Sequence, residues 1–129
     1  MMPEAGIRAL LIADEALSVI VGNRVHVNDV PLQSKRPAIV IRRVSTLPTQ
    51  QVTGTSLLTR TTLQIGARSE RIVEAAQMSE RVRQILEGYR GTTAGQQIQS
   101  VKWINRVTAW DPTLDTHAVD DDFAVWTAA

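Results

Sequence analysis

The side chains best suited to chemistry lie near the C-terminus, where His117 precedes Asp120, Asp121 and Asp122. The only other histidine is His26, so a metal site or a general base would combine His117 with these carboxylates. Successive side chains of a strand point to opposite faces, so three consecutive carboxylates cannot converge on one ion without a bulge. Asp120 and Asp122 can share a face. Two interpretations follow: a small hydrolase-like site that uses His117 with Asp120 and Asp122, or an acidic edge or interface patch.

Other catalytic signatures are missing from the sequence. The chain has no cysteine, which excludes disulfide scaffolds, thiolate zinc sites and cysteine nucleophiles. It has no phosphate-binding loop, paired-glycine fingerprint or nucleophile motif. We therefore predict no enzymatic activity, no cofactor and no metal.

Composition predicts one folded domain over residues 1–129. Hydrophobic residues make up 43% and charged residues 21% of the chain, proportions typical of a globular protein. The net charge of +1 gives no bulk reason to bind nucleic acid or acidic lipid. No apolar run is long enough to cross a bilayer, and Glu4 stands where a signal peptide would carry positive charge, so we expect no membrane partner.

The order of the charges is more informative than their sum. Seven basic residues and one acid, Glu70, lie between Lys35 and Arg71, whereas five acids and no lysine or arginine follow Arg106. One interpretation is a set of scattered, solvated faces. The other is a head-to-tail contact between the basic middle of one subunit and the acidic end of the next, and such contacts close into rings when the rotation permits. Trp110 and Trp126 are either interface aromatics or indoles packed within the subunit.

These residues must be positioned by an α+β fold. We predict a roughly five-stranded mixed or antiparallel sheet, an N-terminal helix or bent helix pair, and one main helix packed on it, in the order α-(α)-β-β-β-α-β-β. Ser69 is the predicted N-cap of the main helix, whose buried stripe starts at Ile72. The chain closes with a hairpin whose first strand carries Val101, Trp103, Val107 and Ala109 on one face.

Residues 45–57 form a predicted long polar loop. The segment reads STLPTQQVTGTSL, has no charge and contains Pro48 and Gly54. Loops of this length inside a compact domain are usually functional or disordered.

Four stretches of the chain carry a family resemblance: IRALLIADEALSVIVGNRVHV, RPAIVIRRVS, VRQILEGYRG and VKWINRVTAWDPTLDTHAVDDDFAVW. In order and spacing they resemble the tail-completion or tail-terminator proteins of long-tailed phages. The matching elements are Val21-Gly22 with Arg24-Val25, the strand from Pro37 to Ser45, the Leu86-Gly88-Arg90-Gly91 helix end, and Phe123-Val125-Trp126. The Asp120–Asp122 run departs from the family pattern, which more often alternates polar and apolar residues there.

The resemblance implies a structural virion protein that is assembled in the host cytoplasm. Such a protein forms a homo-hexameric ring at the head-proximal end of the tail tube, stops tube polymerisation and meets the head-tail connector, while genome DNA passes through the lumen without sequence-specific binding. The implied partners are therefore further copies of the chain, the major tail tube protein and the connector or head-completion protein. A head-completion adaptor of a phage or gene-transfer particle is the alternative.

Combined with the charge order, the resemblance gives a set of candidate contacts with another subunit, the tube or the connector. We expect Arg42→Glu or Asp121→Arg to weaken ring closure or joining without unfolding the subunit. The candidate interface residues are Arg42, Arg43, Leu47, Pro48, Gln50, Gln51, Val52, Arg60, Trp110, Asp120, Asp121, Asp122 and Trp126.

Overall fold

A computed structural model describes residues 3–28, 36–49 and 58–128. Helices α1 (Pro3–Ala13) and α2 (Glu15–Val21) form the predicted bent pair, and α3 (Ile72–Leu86) is the main helix. Asp14 separates α1 from α2 and caps α2, since its carboxylate accepts a 3.0 Å hydrogen bond from the Leu17 amide. No helix in these ranges is both long and apolar enough to span a membrane.

In the described residues the strands are β1 (Val25–Val27), β2 (Ala38–Thr49), β3 (Leu58–Ser69), β4 (Gly91–Thr93), β5 (Gln96–Asp111) and β6 (Thr116–Ala128). These six strands form one sheet in the spatial order β1-β2-β3-β6-β5-β4. The β1–β2 pair is parallel and the other four pairs are antiparallel. The α+β class and the order of elements are confirmed, with one more strand than expected. That strand is β4, a three-residue segment between two turns, too short to leave an alternating pattern.

The first part of the predicted loop is a strand. Residues 45–49 belong to β2 and pair with β3, while residues 50–57 lie outside the described part of the chain. The strand could not be recognised from the sequence, because the threonine and serine residues of the segment are polar and leave no regular alternation of apolar and polar residues.

The start of α3 also differs from the prediction. Arg71, not Ser69, occupies the N-cap position, although the Ser69 hydroxyl still accepts a hydrogen bond from the Arg71 amide and donates one to Glu74. Ile72 is 43% exposed, so the buried stripe begins one turn later, at Ala75. It continues through Met78, Ser79, Val82 and Leu86.

The three helices cover one face of the sheet. The core between them contains Ile7, Leu11 and Leu17 from the helices and Ile41, Leu63 and Phe123 from the strands. Each such burial stabilises the fold by about 1.5–3 kcal/mol before chain entropy is subtracted. Because side chains alternate along a strand, the neighbours of these core residues point to the other side. We call that side the helix-free face; it carries Arg42, Arg60, Gln64, Arg68, Asp120, Asp122 and Trp126.

Candidate assembly surfaces

Asp121 is fully buried on the helix-covered face of β6. Its carboxylate accepts hydrogen bonds from the Arg106 Nε at 2.6 Å, from the Trp103 indole at 3.2 Å and from the Ser79 hydroxyl. The Nη2 atom of Arg106 also lies 3.3 Å from Oε2 of Glu80. Three donors inside the subunit satisfy this carboxylate, as a buried charge requires.

Burial corrects the expectation that Asp121 contacts another subunit. A side chain with no exposed surface cannot reach a partner, and Asp121→Arg would place a second guanidinium beside Arg106 in the core. We therefore expect that substitution to unfold the subunit. Asp121 could not be separated from its neighbours by sequence because a run of three aspartates gives no sign of which one faces inward.

The proposed catalytic cluster does not assemble in the fold. His117 shares the helix-covered side of β6 with Asp121, whereas Asp120 and Asp122 lie on the helix-free face. Among the described residues, no group of three histidine or acidic side chains is placed to hold a metal ion. The interpretation of Asp120 and Asp122 as an acidic edge or interface patch stays a prediction; on the helix-free face they lie among Arg42, Arg60 and Arg68.

Asp120 forms a salt bridge with Arg68 across the β3–β6 pair, with 2.5 Å between Arg68 Nη1 and Asp120 Oδ1. The two side chains meet directly above Gly66, which stands opposite Asp120 in the register. A Cβ atom at Gly66 would collide with both charged groups. Glycine is therefore required here for a close approach of side chains and not for a turn.

A second polar chain crosses the helix-free face from β2 to β6. Arg42 donates a 2.8 Å hydrogen bond to Gln64 Oε1, and Gln64 in turn hydrogen-bonds Asp122. Burial raises the pKa of the Asp122 carboxyl, the Gln64 hydrogen bond opposes that rise, and the charges of Asp120 and Asp121 add to it. Among the described residues, the buried Asp122 Oδ1 has no hydrogen-bond partner.

The remaining predicted contacts fall into three groups. Arg43 Nη2 lies on the helix-covered side, 2.7 Å from the buried Glu4 carboxylate of α1, and so ties β2 to that helix. The Arg60 guanidinium stacks over the Trp126 ring on the helix-free face, 5.5 Å from its centroid. Of the others, Leu47 and Pro48 lie within β2, and Gln50, Gln51 and Val52 lie outside the described residues.

The last part of β5 is uncovered on both faces. Trp110 is 56% exposed and stacks on His117 across the hairpin, with 6.2 Å between ring centroids. Val107, on the helix-free side, is 55% exposed. No described helix or strand covers the outer edge of this segment. Apolar side chains left open at a strand end are typical of a surface that is buried in an assembly.

The family model described as tail completion protein gp17 matches residues 5–128, nearly the whole chain. The chain belongs to this tail completion family. The sequence resemblance is thereby confirmed, and the tail completion protein is a structural component of the virion tail.

Solved structures agree with the fold of this tail completion protein. A chain of the "Virion of native gene transfer agent (GTA) particle" superposes with a TM-score of 0.76 at 15% sequence identity, covering 98% of this chain and 94% of that chain. No curated protein matches the sequence. A likeness at this identity establishes the shared fold.

Sequence reasoning missed that Val107 of the tail completion protein is uncovered. A strict period of two places Val101, Trp103, Val107 and Ala109 on one face. A register irregularity between Trp103 and Asn105 shifts the period, so Trp103 packs against α3 and Val107 faces the opposite side. A bulge of this kind leaves little trace in a single sequence.

Proposed function

We propose that this tail completion protein is the tail terminator: six copies form a ring on the head-proximal end of the tail tube. The ring caps the tube, stops its polymerisation and presents its other side to the head-tail connector. Its role is structural and requires no catalytic group, cofactor or metal. The partners are other copies of the chain, the major tail tube protein and the connector.

The observation that carries this proposal is the uncovered end of the β5–β6 hairpin in a protein whose family acts in tail completion. Trp110, Leu114 and Val107 are each at least half exposed, and no described element packs over them. Large aliphatic and aromatic side chains that are exposed to water at one end of a domain carry an unfavourable hydration free energy. A ring contact would bury them and would supply the driving force for assembly.

The size of the domain suits a ring through which DNA passes. A globule of this length has a radius of gyration of about 14 Å and hence a diameter of roughly 36 Å. Six equal discs in a ring leave a hole about one disc wide, roughly 36 Å, which admits duplex DNA before side chains narrow it. The paired charges of Arg68 with Asp120, and of Arg42 linked through Gln64 to Asp122, limit the net positive charge of the helix-free face. A face of this kind would release DNA rather than retain it.

The proposal also assigns charged residues and tryptophans that are partly or fully exposed to contacts. Arg42, Asp120, Asp122 and Trp126 on the helix-free face, with Trp110 at the hairpin end, are the described candidates for contacts between subunits or with the tube and connector. Arg42→Glu is expected to weaken ring closure while leaving the subunit folded, because Arg42 is exposed and its only described hydrogen bond is to Gln64.

Deleting the gene from the particle-forming element that encodes it tests the proposal. Electron microscopy should show DNA-filled heads without tails, together with free tubes of irregular, excessive length. Complementation with the wild-type gene should restore both tail length and joining. Normal tube lengths with unjoined tails would reject the terminator role and favour a head-completion adaptor, and normal particles would reject both.

A further inference from the structure

The outer edge of β5 lacks a neighbouring strand over most of its length. β4 pairs only with Gln96–Ile98, and the Gly88 amide donates to the Val101 carbonyl. From residue 102 to residue 111, no described strand lies on that side. This stretch of about ten residues spans roughly 33 Å of backbone donors and acceptors.

Beyond Lys102, the bulge between Trp103 and Asn105, and Arg106, the unpaired segment lacks the features that keep strand edges apart. Proteins guard exposed edges with prolines, outward lysines, bulges or a covering element. Residues 107–110 read Val-Thr-Ala-Trp, all four exposed, with no charge and no proline. An edge left open in this way is a template for another strand, and such an edge would aggregate unless the assembly covered it.

The other side of the sheet offers a second open edge. β1 pairs with β2 only at Ile39–Ile41, and no described strand lies beside β2 from Val44 to Thr49. Val44, Ser45 and Thr46 are exposed. Pro48 lacks an amide donor, so the part of this edge best suited to pairing lies before it.

We infer that the free edge of β5 in one copy pairs with the free edge of β2 in the next copy, so that the sheet continues from subunit to subunit. This inference specifies the contact within the proposed ring and rests on that ring. The same two different edges meet at every contact, which makes the interface head-to-tail, as ring closure requires.

Strand direction determines how the two edges meet. Within one subunit β5 and β2 run in opposite directions, because two antiparallel steps separate β2 from β6 and β5 is antiparallel to β6. A rotation about an axis close to the strand direction preserves that relation, so β5 would lie antiparallel to the neighbour's β2. Charge supports the pairing, since Asp111 is the last residue of β5 and Asp115 follows it, whereas Arg42 precedes the open part of β2.

The two edges are open at opposite ends of the sheet. Trp103 pairs with Phe123, Phe123 with Leu63, and Leu63 with Arg43, so Trp103 of β5 and Arg43 of β2 lie at the same height along the strands. β5 is open from that level towards the end that holds Ala38, and β2 is open towards the end that holds Thr49. Pairing them therefore staggers adjacent copies along the strands. A stagger repeated at every contact tilts the strands, and closed barrels of strands require that tilt.

The absence of cysteine allows a direct cross-linking test. Val107 and Ala109 share the helix-free face with Ser45, since their partners in the register are Asp120, Ala118 and Thr62. Directly paired residues point to the same face, with Cβ atoms about 4.5–5.5 Å apart. In oxidised, concentrated protein, Ser45→Cys combined with Val107→Cys or with Ala109→Cys should give a ladder of covalent oligomers ending at a closed ring.

The matched control moves one cysteine by a single residue. Thr108 is also exposed but points to the other face, so Ser45→Cys with Thr108→Cys should remain at least tenfold less cross-linked. Covalent dimers from Val107→Cys alone would show β5 pairing with itself, and that result would overturn the inference. So would the lack of cross-links in both helix-free-face pairs.

Hydrogen exchange separates this inference from the ring itself. Wild-type rings would be detected by mass measurement in solution or on tail tubes. In such rings, the amides of residues 102–111 should exchange at least tenfold more slowly than in the free subunit. Rings without that protection would leave the proposed function intact and reject the strand pairing. As a second variant, Ala109→Lys should prevent assembly, whereas Val19→Lys at the 87% exposed Val19 of α2 should not.

Discussion

Removing the buried carboxylate of Asp121 is expected to destabilise the subunit strongly. Asp121→Ala would leave the Arg106 guanidinium, the Trp103 indole and the Ser79 hydroxyl facing an empty site beneath α3. Removing one partner of a buried ion pair costs about 3–5 kcal/mol. The cost here should lie towards the lower end of that range, because Arg106 keeps its contact with Glu80. For a domain of this length, that range corresponds to a fall in Tm of roughly 11–18 °C.

Two further variants separate charge from packing at Asp121. Asp121→Asn preserves shape and can still accept hydrogen bonds from Trp103 and Arg106 through its carbonyl oxygen, so its cost should be smaller, about 1.5–3 kcal/mol. Asp120→Ala is the matched control one residue away. The Arg68 and Asp120 side chains are 28% and 19% exposed, so their salt bridge should contribute at most about 1 kcal/mol to the free energy of unfolding.

The assay is chemical and thermal unfolding of the purified subunit at neutral pH, followed by circular dichroism. The reasoning requires that Asp121→Ala be destabilised several times more than Asp120→Ala. If the two variants lose similar free energies of unfolding, or if Asp121→Ala stays within about 1 kcal/mol of the wild type, the three donors do not depend on this carboxylate and the description of a buried ionic site is wrong.

Three further outcomes are expected. Gly66→Ala should displace the Arg68–Asp120 pair and lower the free energy of unfolding by at most about 1 kcal/mol. In a double-mutant cycle, adding Arg68→Ala to Gly66→Ala should lower the free energy of unfolding no further. If Arg68→Ala costs as much in the Gly66→Ala background as in the wild type, this account of Gly66 is contradicted. Asp14→Asn retains the cap of α2 but loses the charge that Arg81 pairs with, so it should be less stable than the wild type at pH 7. The Arg81 hydrogen bond lowers the pKa of Asp14 below its ordinary 3.8, so in unfolding curves this difference should shrink as the pH falls through 3.8 and should vanish below the lowered pKa of the folded state. A pH-independent difference would refute the pairing. Asp122→Asn should have the opposite sign: burial raises the pKa of Asp122, so the ionised form opposes folding, and the variant should be more stable than the wild type at pH 7 but not in acid, where the wild type is protonated.

The family, the class of fold and the order of the elements were accessible from the sequence because they depend on local signals. Asp14 and Gly22 mark the ends of α2, and the apolar run at Ala38–Ile41 marks a strand buried on both sides. The resemblance depended on the spacing of such elements. It did not depend on any single functional residue, and the family model confirmed it.

The candidate site was accessible only in part. The charges and tryptophans were found by their position in the chain, but their surroundings depend on residues far away in sequence. Asp121 and Asp122 are adjacent, yet one contacts Ser79 on α3 and the other contacts Gln64 on β3. No local pattern separates them.

What the sequence determined by itself is the set of local preferences: where helices begin and end, which strands carry apolar residues, and how charge is distributed along the chain. What only the tertiary structure decided is which side of the sheet each side chain occupies and which strand edges remain open. A single shift in the β5 register exchanges the faces of every later residue, because the side-chain period of a strand is two. Edges become open or closed only when all six strands have taken their places in the sheet.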